Sequence, residues 1–187
     1  MIDLTTKIEV GSPALDWVNT QENRLAAMGH VGTHLDTYCK TEIPIEYFKS
    51  PGVLIDVTSI VPQRDVEVED VQDVEIPANA FVLFRTDQLR KYGYATDAYF
   101  RDGPQLSHQL IDYLLKKRVR FIGIDCEGLR RRAEHQAADR LCETNGTYVI
   151  ENLCNMDRIT HSQFTVYTMW IDDIEQTGLK CRVLVEE

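Results

Sequence analysis

Between Ala80 and Asp125 the chain reads as a strand, a helix and a second strand, and that order constrains the fold more than any other feature. Ala80 to Thr86 is a β-branched and aromatic run that follows the turn cluster Pro77-Ala78-Asn79, which favours a strand. Leu106, Leu110, Leu114 and Leu115 then recur at helical spacing, so Pro104 to Arg118 is predicted as a helix with one apolar stripe. Gly103-Pro104 marks its start, and Lys116-Lys117-Arg118 puts cations at the end where the helix dipole favours them. Val119 to Asp125 follows as a buried strand. Two strands joined this way pair in parallel through a right-handed crossover.

The rest of the chain extends this α/β reading. Val53 to Ile60 is predicted as a strand after Pro51-Gly52, with further strands at Thr147 to Glu151, Phe164 to Trp170 and Cys181 to Val185. A second helix is predicted from Arg131 to Glu143, stopped by the left-handed turn former Asn145-Gly146. The acidic stretch 64–75 reads as a solvated loop bearing a short strand, with no part in the chemistry. Linkers, repeats and low-complexity tracts are absent, and 187 residues suit one strand-rich domain spanning 1–187.

A formal charge of -10 argues against nucleic acid or an anionic membrane surface as a partner, since both need basic surface. No run approaches the roughly 18 apolar residues of a membrane span. Met1-Ile2-Asp3-Leu4 lacks the basic and apolar regions of a signal peptide. The cysteines at 39, 126, 142, 154 and 181 are odd in number and unpaired in spacing, which fits reduced thiols in a cytoplasm. A small-molecule substrate is the partner expected.

The chemistry gathers at His30-Val31-Gly32-Thr33-His34-Leu35-Asp36, which holds two of the 5 histidines and a carboxylate at i, i+4 and i+6. Neutral imidazole and carboxylate are ligands that suit zinc or manganese. The plainer reading is that two histidines fell close together by chance.

The surrounding residues add to this motif. HxGTHxD near the N-terminus, Asp3-Leu4-Thr5, the strand Gly52 to Val57, Val82-Leu83-Phe84-Arg85-Thr86, Phe121-Ile122-Gly123-Ile124-Asp125 and Val149-Ile150-Glu151-Asn152-Leu153-Cys154-Asn155-Met156-Asp157 occur in one order. Together they resemble the cyclase family of metal-dependent hydrolases, which includes bacterial kynurenine formamidase and isatin hydrolase. The resemblance spans nearly the whole chain. It implies a swivelling β/β/α arrangement, a divalent metal, zinc or manganese, and assembly into a homo-oligomer such as a homodimer.

The resemblance also implies further ligands. Glu151 takes the place of the family's Glu, and the family's His lies 12 residues before it, where this chain has Asp139. His135 stands one helical turn earlier on the same face. Either or both could reach the metal, and a carboxylate would shift preference towards manganese or magnesium. The alternative is a solvent-facing i, i+4 pair.

The family motif usually continues through Pro to a further His that serves a second metal or proton traffic. Here Tyr38 stands for the Pro and Lys40 for the His. That substitution leaves Cys39 as a candidate base or soft ligand and Lys40 as a candidate for neutralising an oxyanion. The bland readings are a small buried thiol and a solvated amine. One of Arg130, Arg131 and Arg132 could hold a substrate carboxylate, with at least two of them solvated. Arg85 needs a partner, for which Glu151 and Asp125 are candidates. Asp125 ends a parallel-type strand, where α/β sheets tend to place sites. Trp17, Tyr38, Tyr47 and Phe48 could wall an aromatic pocket, although core packing accounts for most of them. By resemblance, the expected activity is hydrolysis of an amide, formamide or cyclic amide, with N-formylkynurenine the named candidate (arylformamidase, in tryptophan catabolism). The alternative is a lapsed enzyme that binds a metal or small molecule without turnover.

Overall fold

The computed structural model describes residues 1–20, 23–101 and 103–187. In chain order the strands are β1 (Ile2–Asp3), β2 (His34–Asp36), β3 (Lys49–Asp56), β4 (Phe81–Arg85), β5 (Phe121–Ile124), β6 (Tyr148–Glu151), β7 (Phe164–Trp170) and β8 (Gly178–Glu186). The α-helices are α1 (Pro13–Thr20), α2 (Arg24–Ala27), α3 (Gln88–Tyr92), α4 (Asp97–Arg101), α5 (His108–Lys116) and α6 (His135–Thr144).

The strand–helix–strand unit forms as its pattern dictates. β4 and β5 pair in parallel with Phe81 opposite Phe121, and α5 lies between them in the chain. The helix starts at His108 rather than Pro104, because the Ser107 hydroxyl accepts the Leu110 N–H and caps it there. Leu106 instead bridges Val66, so the acidic stretch is stitched to the body of the protein. Val66 and Val71 are fully buried, and Asp65 reaches Arg130, which corrects the expectation of a merely solvated loop. β3 begins at Lys49 and stops at Asp56, short of the predicted Ile60, where the Asp56 carboxylate accepts the Thr58 N–H and hydroxyl.

β3, β4, β5 and β6 form a parallel arc. β2 adds to β6 and β7 to β3, both antiparallel, and β8 pairs with β2 and β7. The seven strands thereby close into a ring, with β1 appended to β8. Closure removes the unpaired edges that an open sheet would expose.

Alternation along the strands divides the core in two. Phe81 and Leu83 of β4 join Phe121, Tyr148, Ile150, Val166 and Val183 on the enclosed side. Val82 and Phe84 face outward and pack with Leu110, Leu114, Ala138 and Cys142 of α5 and α6. Gly123 keeps the enclosed side dense, since a Cβ there would lie 2.5 Å from the Phe81 ring and 2.6 Å from Leu153. A third, smaller cluster of Ala14, Ala26, Val31 and Ala95 seats α1 and α2, with Trp17 and Tyr94 packed against it. Among the described residues, no helix is long and apolar enough to cross a membrane.

Candidate metal centre

The motif His34-Leu35-Asp36 is strand β2, not a loop, and its period of two decides which side chains meet. Leu35 enters the enclosed core, so His34 and Asp36 point to the opposite face. β2 lies antiparallel to β6 with His34 opposite Glu151 and Leu35 opposite Ile150. Residues directly opposite one another project to the same face. His34 Nε2 accordingly sits 3.5 Å from Glu151 Oε2 and 3.6 Å from Asp36 Oδ1.

Helix α6 covers this face. His135, Asp139 and Glu143 fall at i, i+4 and i+8, one stripe that the helix turns inward. His135 Nε2 lies 2.9 Å from Glu151 Oε1 and 3.2 Å from Asp139 Oδ2. The pair is therefore not solvent-facing, and both members reach the cluster. One turn on, the buried Glu143 carboxylate accepts the N–H groups of Cys39 and Thr41 at 2.6 and 3.0 Å, and the Thr41 hydroxyl at 3.1 Å. That clamp holds the segment leaving β2.

His30 comes from outside the sheet and is placed by a close backbone crossing. Gly29, at φ +96°, passes so near Gly178 that a Cβ on Gly29 would meet the Gly178 carbonyl oxygen at 1.9 Å. The Met28 carbonyl accepts the N–H groups of Thr177 and Gly178. The crossing sets the Thr177 hydroxyl 2.8 Å from His30 Nε2, leaving Nδ1 to face Asp36 Oδ1 at 3.0 Å. His34 is oriented in the same manner, because its Nδ1–H donates to the Gly32 carbonyl at 2.9 Å and Nε2 is left for the cluster. Asn152 donates to the same carbonyl and accepts the Tyr99 hydroxyl.

Two overlapping sets result: His30, His34 and Asp36; and Asp36, His135, Asp139 and Glu151. Within each set the ligand-type atoms lie within 4.8 Å of one another, and Asp36 belongs to both. Both oxygens of Asp36 and of Asp139, Glu151 Oε1 and His135 Nε2 are shut off from solvent without a hydrogen bond. Their separations are short, so what fails is hydrogen-bond geometry rather than distance. Orphaned buried polar atoms are costly. One cation per set would satisfy them, and the mixed imidazole and carboxylate donors suit zinc or manganese.

The electrostatics fit a site that holds protons when it holds no metal. Burial disfavours charge on His34, but the Asp36 and Glu151 carboxylates outweigh it and raise its pKa to about 9. Burial likewise opposes protonation of His135, while Glu151 and Asp139 push it up to about 12. Burial and the Asp36 charge raise Asp139 to about 8. Asp36 resists burial because the His34 and His30 imidazoles hold it well below the usual carboxylate range.

A cleft of about 380 Å³ opens onto His30, His34, His135 and Glu151. Trp17, Tyr38, Tyr94 and Phe100 wall it. Tyr38 stacks on His30 with ring centroids 5.3 Å apart, Trp17 packs 5.9 Å from Phe100, and the Tyr94 hydroxyl accepts the Gly32 N–H. Glu127 and Arg132 also reach the cleft. Burial, then the Glu151 charge, raises the Glu127 carboxyl above its ordinary range.

Several expected roles move elsewhere. Lys40 is exposed and lines a different, larger groove of about 940 Å³ that contains no member of either ligand set, so it is not placed to neutralise an oxyanion formed there. Its backbone is left-handed, at φ +58°. Cys39 does not line the cleft either, and burial together with the Glu143 carboxylate raises its thiol, which makes it a poor base. Arg85 pairs with Asp87 and Asp56, not with Glu151 or Asp125. Asp125 accepts the Thr86 N–H and hydroxyl and the Asp87 N–H, and is absorbed in shaping that turn. Arg130 is not solvated, since it is buried between Asp65 and Glu134. Arg132 is the member of the triplet that reaches the cleft. Trp17 and Tyr38 line it, whereas Tyr47 packs on Phe121 and Tyr148 and Phe48 lies by Tyr167. Sequence reasoning missed Thr177, Glu127 and Glu143; the first two carry no local signal, whereas Glu143 continues the His135, Asp139 stripe.

Comparison with known proteins defines the class. The chain belongs to the family described as "Putative cyclase", whose model matches residues 2–129. No curated protein matches it. Among solved structures, the fold is similar to that of isatin hydrolase A from Labrenzia aggregata bound to benzyl benzoate, with a TM-score of 0.77 at 21% identity, covering 98% of this chain and 92% of that one. A potential metal-dependent hydrolase with cyclase activity gives 0.73 at 20%, covering 98% and 96%. A predicted metal-dependent hydrolase from Bacillus stearothermophilus gives 0.72 at 20%, with the same coverage. At these identities the likeness is one of fold.

Proposed function

We propose that this protein is a metal-dependent hydrolase of amide-type bonds, with His30, His34, Asp36, His135, Asp139 and Glu151 holding zinc or manganese. The observation that carries the reading is the set of buried, unbonded imidazole and carboxylate atoms converging beneath an open cleft. The metal-dependent hydrolases and isatin hydrolase of similar fold support it. A bound divalent ion would supply Lewis-acid activation of water and of a carbonyl. The chain supplies the rest. Thr177 and Gly32 fix the two motif imidazoles, Glu143 fixes the segment beyond them, and the walls of Trp17, Tyr38 and Phe100 orient a flat substrate and exclude water. Aromatic walls around so small a cleft favour an aryl formamide or a cyclic amide fused to a ring, N-formylkynurenine among them. Five unpaired cysteines suit a cytoplasmic setting, and a homodimer is the assembly we propose.

The test is elemental analysis of protein purified without chelator, followed by turnover of formanilide, N-formylkynurenine and isatin. Stoichiometric zinc or manganese with turnover of at least one is the expected result. A second reading, a metal-binding protein without turnover, is favoured by Lys40 standing where relatives carry a histidine. Metal without hydrolysis of any of the three would establish it in place of the first.

A further inference from the structure

Resting on the hydrolase reading, we propose that Glu127 is the proton-transfer residue of the site, taking a proton from the attacking water and returning it to the leaving nitrogen. The motif's own candidates are out of position: Cys39 does not line the cleft and Lys40 lies in another groove. Glu127 lines the cleft alongside His34, His135 and Glu151. It is half-buried and, among the described residues, its carboxylate makes no hydrogen bond or ion pair. Among the described residues, every other carboxylate at the site is either in a ligand set or, like Glu143, taken up by N–H donors. A carboxylate left unpaired in a cleft, outside both sets, is free to face substrate rather than cation. Its neighbour Gly128, at φ +70°, turns the chain directly after it, and a Cβ at that position would meet the His135 ring at 2.9 Å. The turn bearing Glu127 is thus packed against a ligand.

The step balances within the site. As the water oxygen bonds to the carbonyl carbon, one of its protons passes to the Glu127 carboxylate. As the C–N bond breaks, the same proton passes to nitrogen, giving amine and carboxylic acid and restoring the carboxylate. Arg132, in the same cleft without an ion-pair partner among the described residues, is positioned for an anionic substituent and not for the proton.

The test compares wild type with Glu127→Gln on ring-substituted formanilides and on phenyl formate, with metal content measured on both proteins. The expected result is unchanged metal stoichiometry, a kcat for formanilides lower by about 10²–10⁴-fold, and KM within about threefold. The loss is expected to shrink for phenyl formate, whose phenolate leaves without a proton, and the limb of the pH–rate profile set by the free carboxylate disappears. A kcat within about threefold of wild type, an effect confined to KM, or an equal loss on amide and ester would each overturn the assignment. Wild-type protein that carries its metal but cleaves none of these compounds overturns the hydrolase reading itself, which is a separate result from a variant as active as wild type.

Discussion

His34 stands opposite Glu151 across the antiparallel pairing of β2 and β6, with 3.5 Å between Nε2 and Oε2. This single register brings the early histidine motif to the later Glu-Asn-Leu motif. A slip of one residue would send His34 and Asp36 into the enclosed core and Leu35 into the cleft.

His34→Ala removes an imidazole that lies within 3.6 Å of both Asp36 and Glu151. Loss of an outer partner typically costs 10–100-fold in metal affinity, so removing this ligand is expected to cost more than about 100-fold and to abolish hydrolysis. Metal titration against a chelating dye checks it. Retention of wild-type affinity would remove His34 from the site.

Thr177→Val keeps the shape of the side chain and deletes the hydroxyl that fixes His30. Metal affinity is expected to fall by about 10–100-fold, with the thermal midpoint nearly unchanged. A variant with normal affinity would make the Thr177 contact incidental.

Metal binding is expected to release protons at pH 7. His34, at about 9, and His135, at about 12, both carry a proton there in metal-free protein, and a ligating imidazole must lose it. Asp139, at about 8, is mostly protonated at pH 7 as well, so calorimetry in buffers of different ionisation enthalpy should show release of about three protons; none would contradict the protonated cluster. The sign for stability follows. Three groups, His34, His135 and Asp139 (about 8), have folded pKa values above their unfolded ones. Their contribution is complete below the unfolded values and is lost as pH rises through the folded ones. Metal-free protein should therefore lose stability progressively as pH rises, from about 4 to 8 through Asp139, from about 6.5 to 9 through His34 and on to about 12 through His135, while the gain in thermal midpoint from added metal grows over the same range.

Glu143→Ala leaves the Cys39 and Thr41 donors without their acceptor in a buried setting. The expected loss is about 3 kcal/mol, or roughly 6–12 °C in thermal midpoint for a chain of this size. Glu143→Gln, which keeps one acceptor oxygen, should lose less. Equal stability of all three proteins would refute the clamp.

The strand–helix–strand unit was legible because Leu110 and Leu114 repeat at a helical period between two apolar runs, although Leu106, which shares that spacing, lies outside the helix. The ring closure was not, since β7 and β8 carry the same alternation whether they end a sheet or join its two edges. His30, His34 and Asp36 declared themselves by spacing. His135 and Asp139 gained a place only when the inward stripe of α6 was seen to contain both. Lys40 misled, because sequence position alone does not show that its side chain lines another groove. Glu127 and Thr177 left no trace in the sequence, since each meets the site through residues distant in the chain.

The contact between Gly29 and Gly178 joins points of the chain that synthesis separates by most of its length. During translation, His30 has no hydroxyl to lean on until the segment around Thr177 has left the ribosome. The His30 imidazole can therefore reach its finished setting only after the segment around Thr177 has been made and has folded back onto Met28 and Gly29.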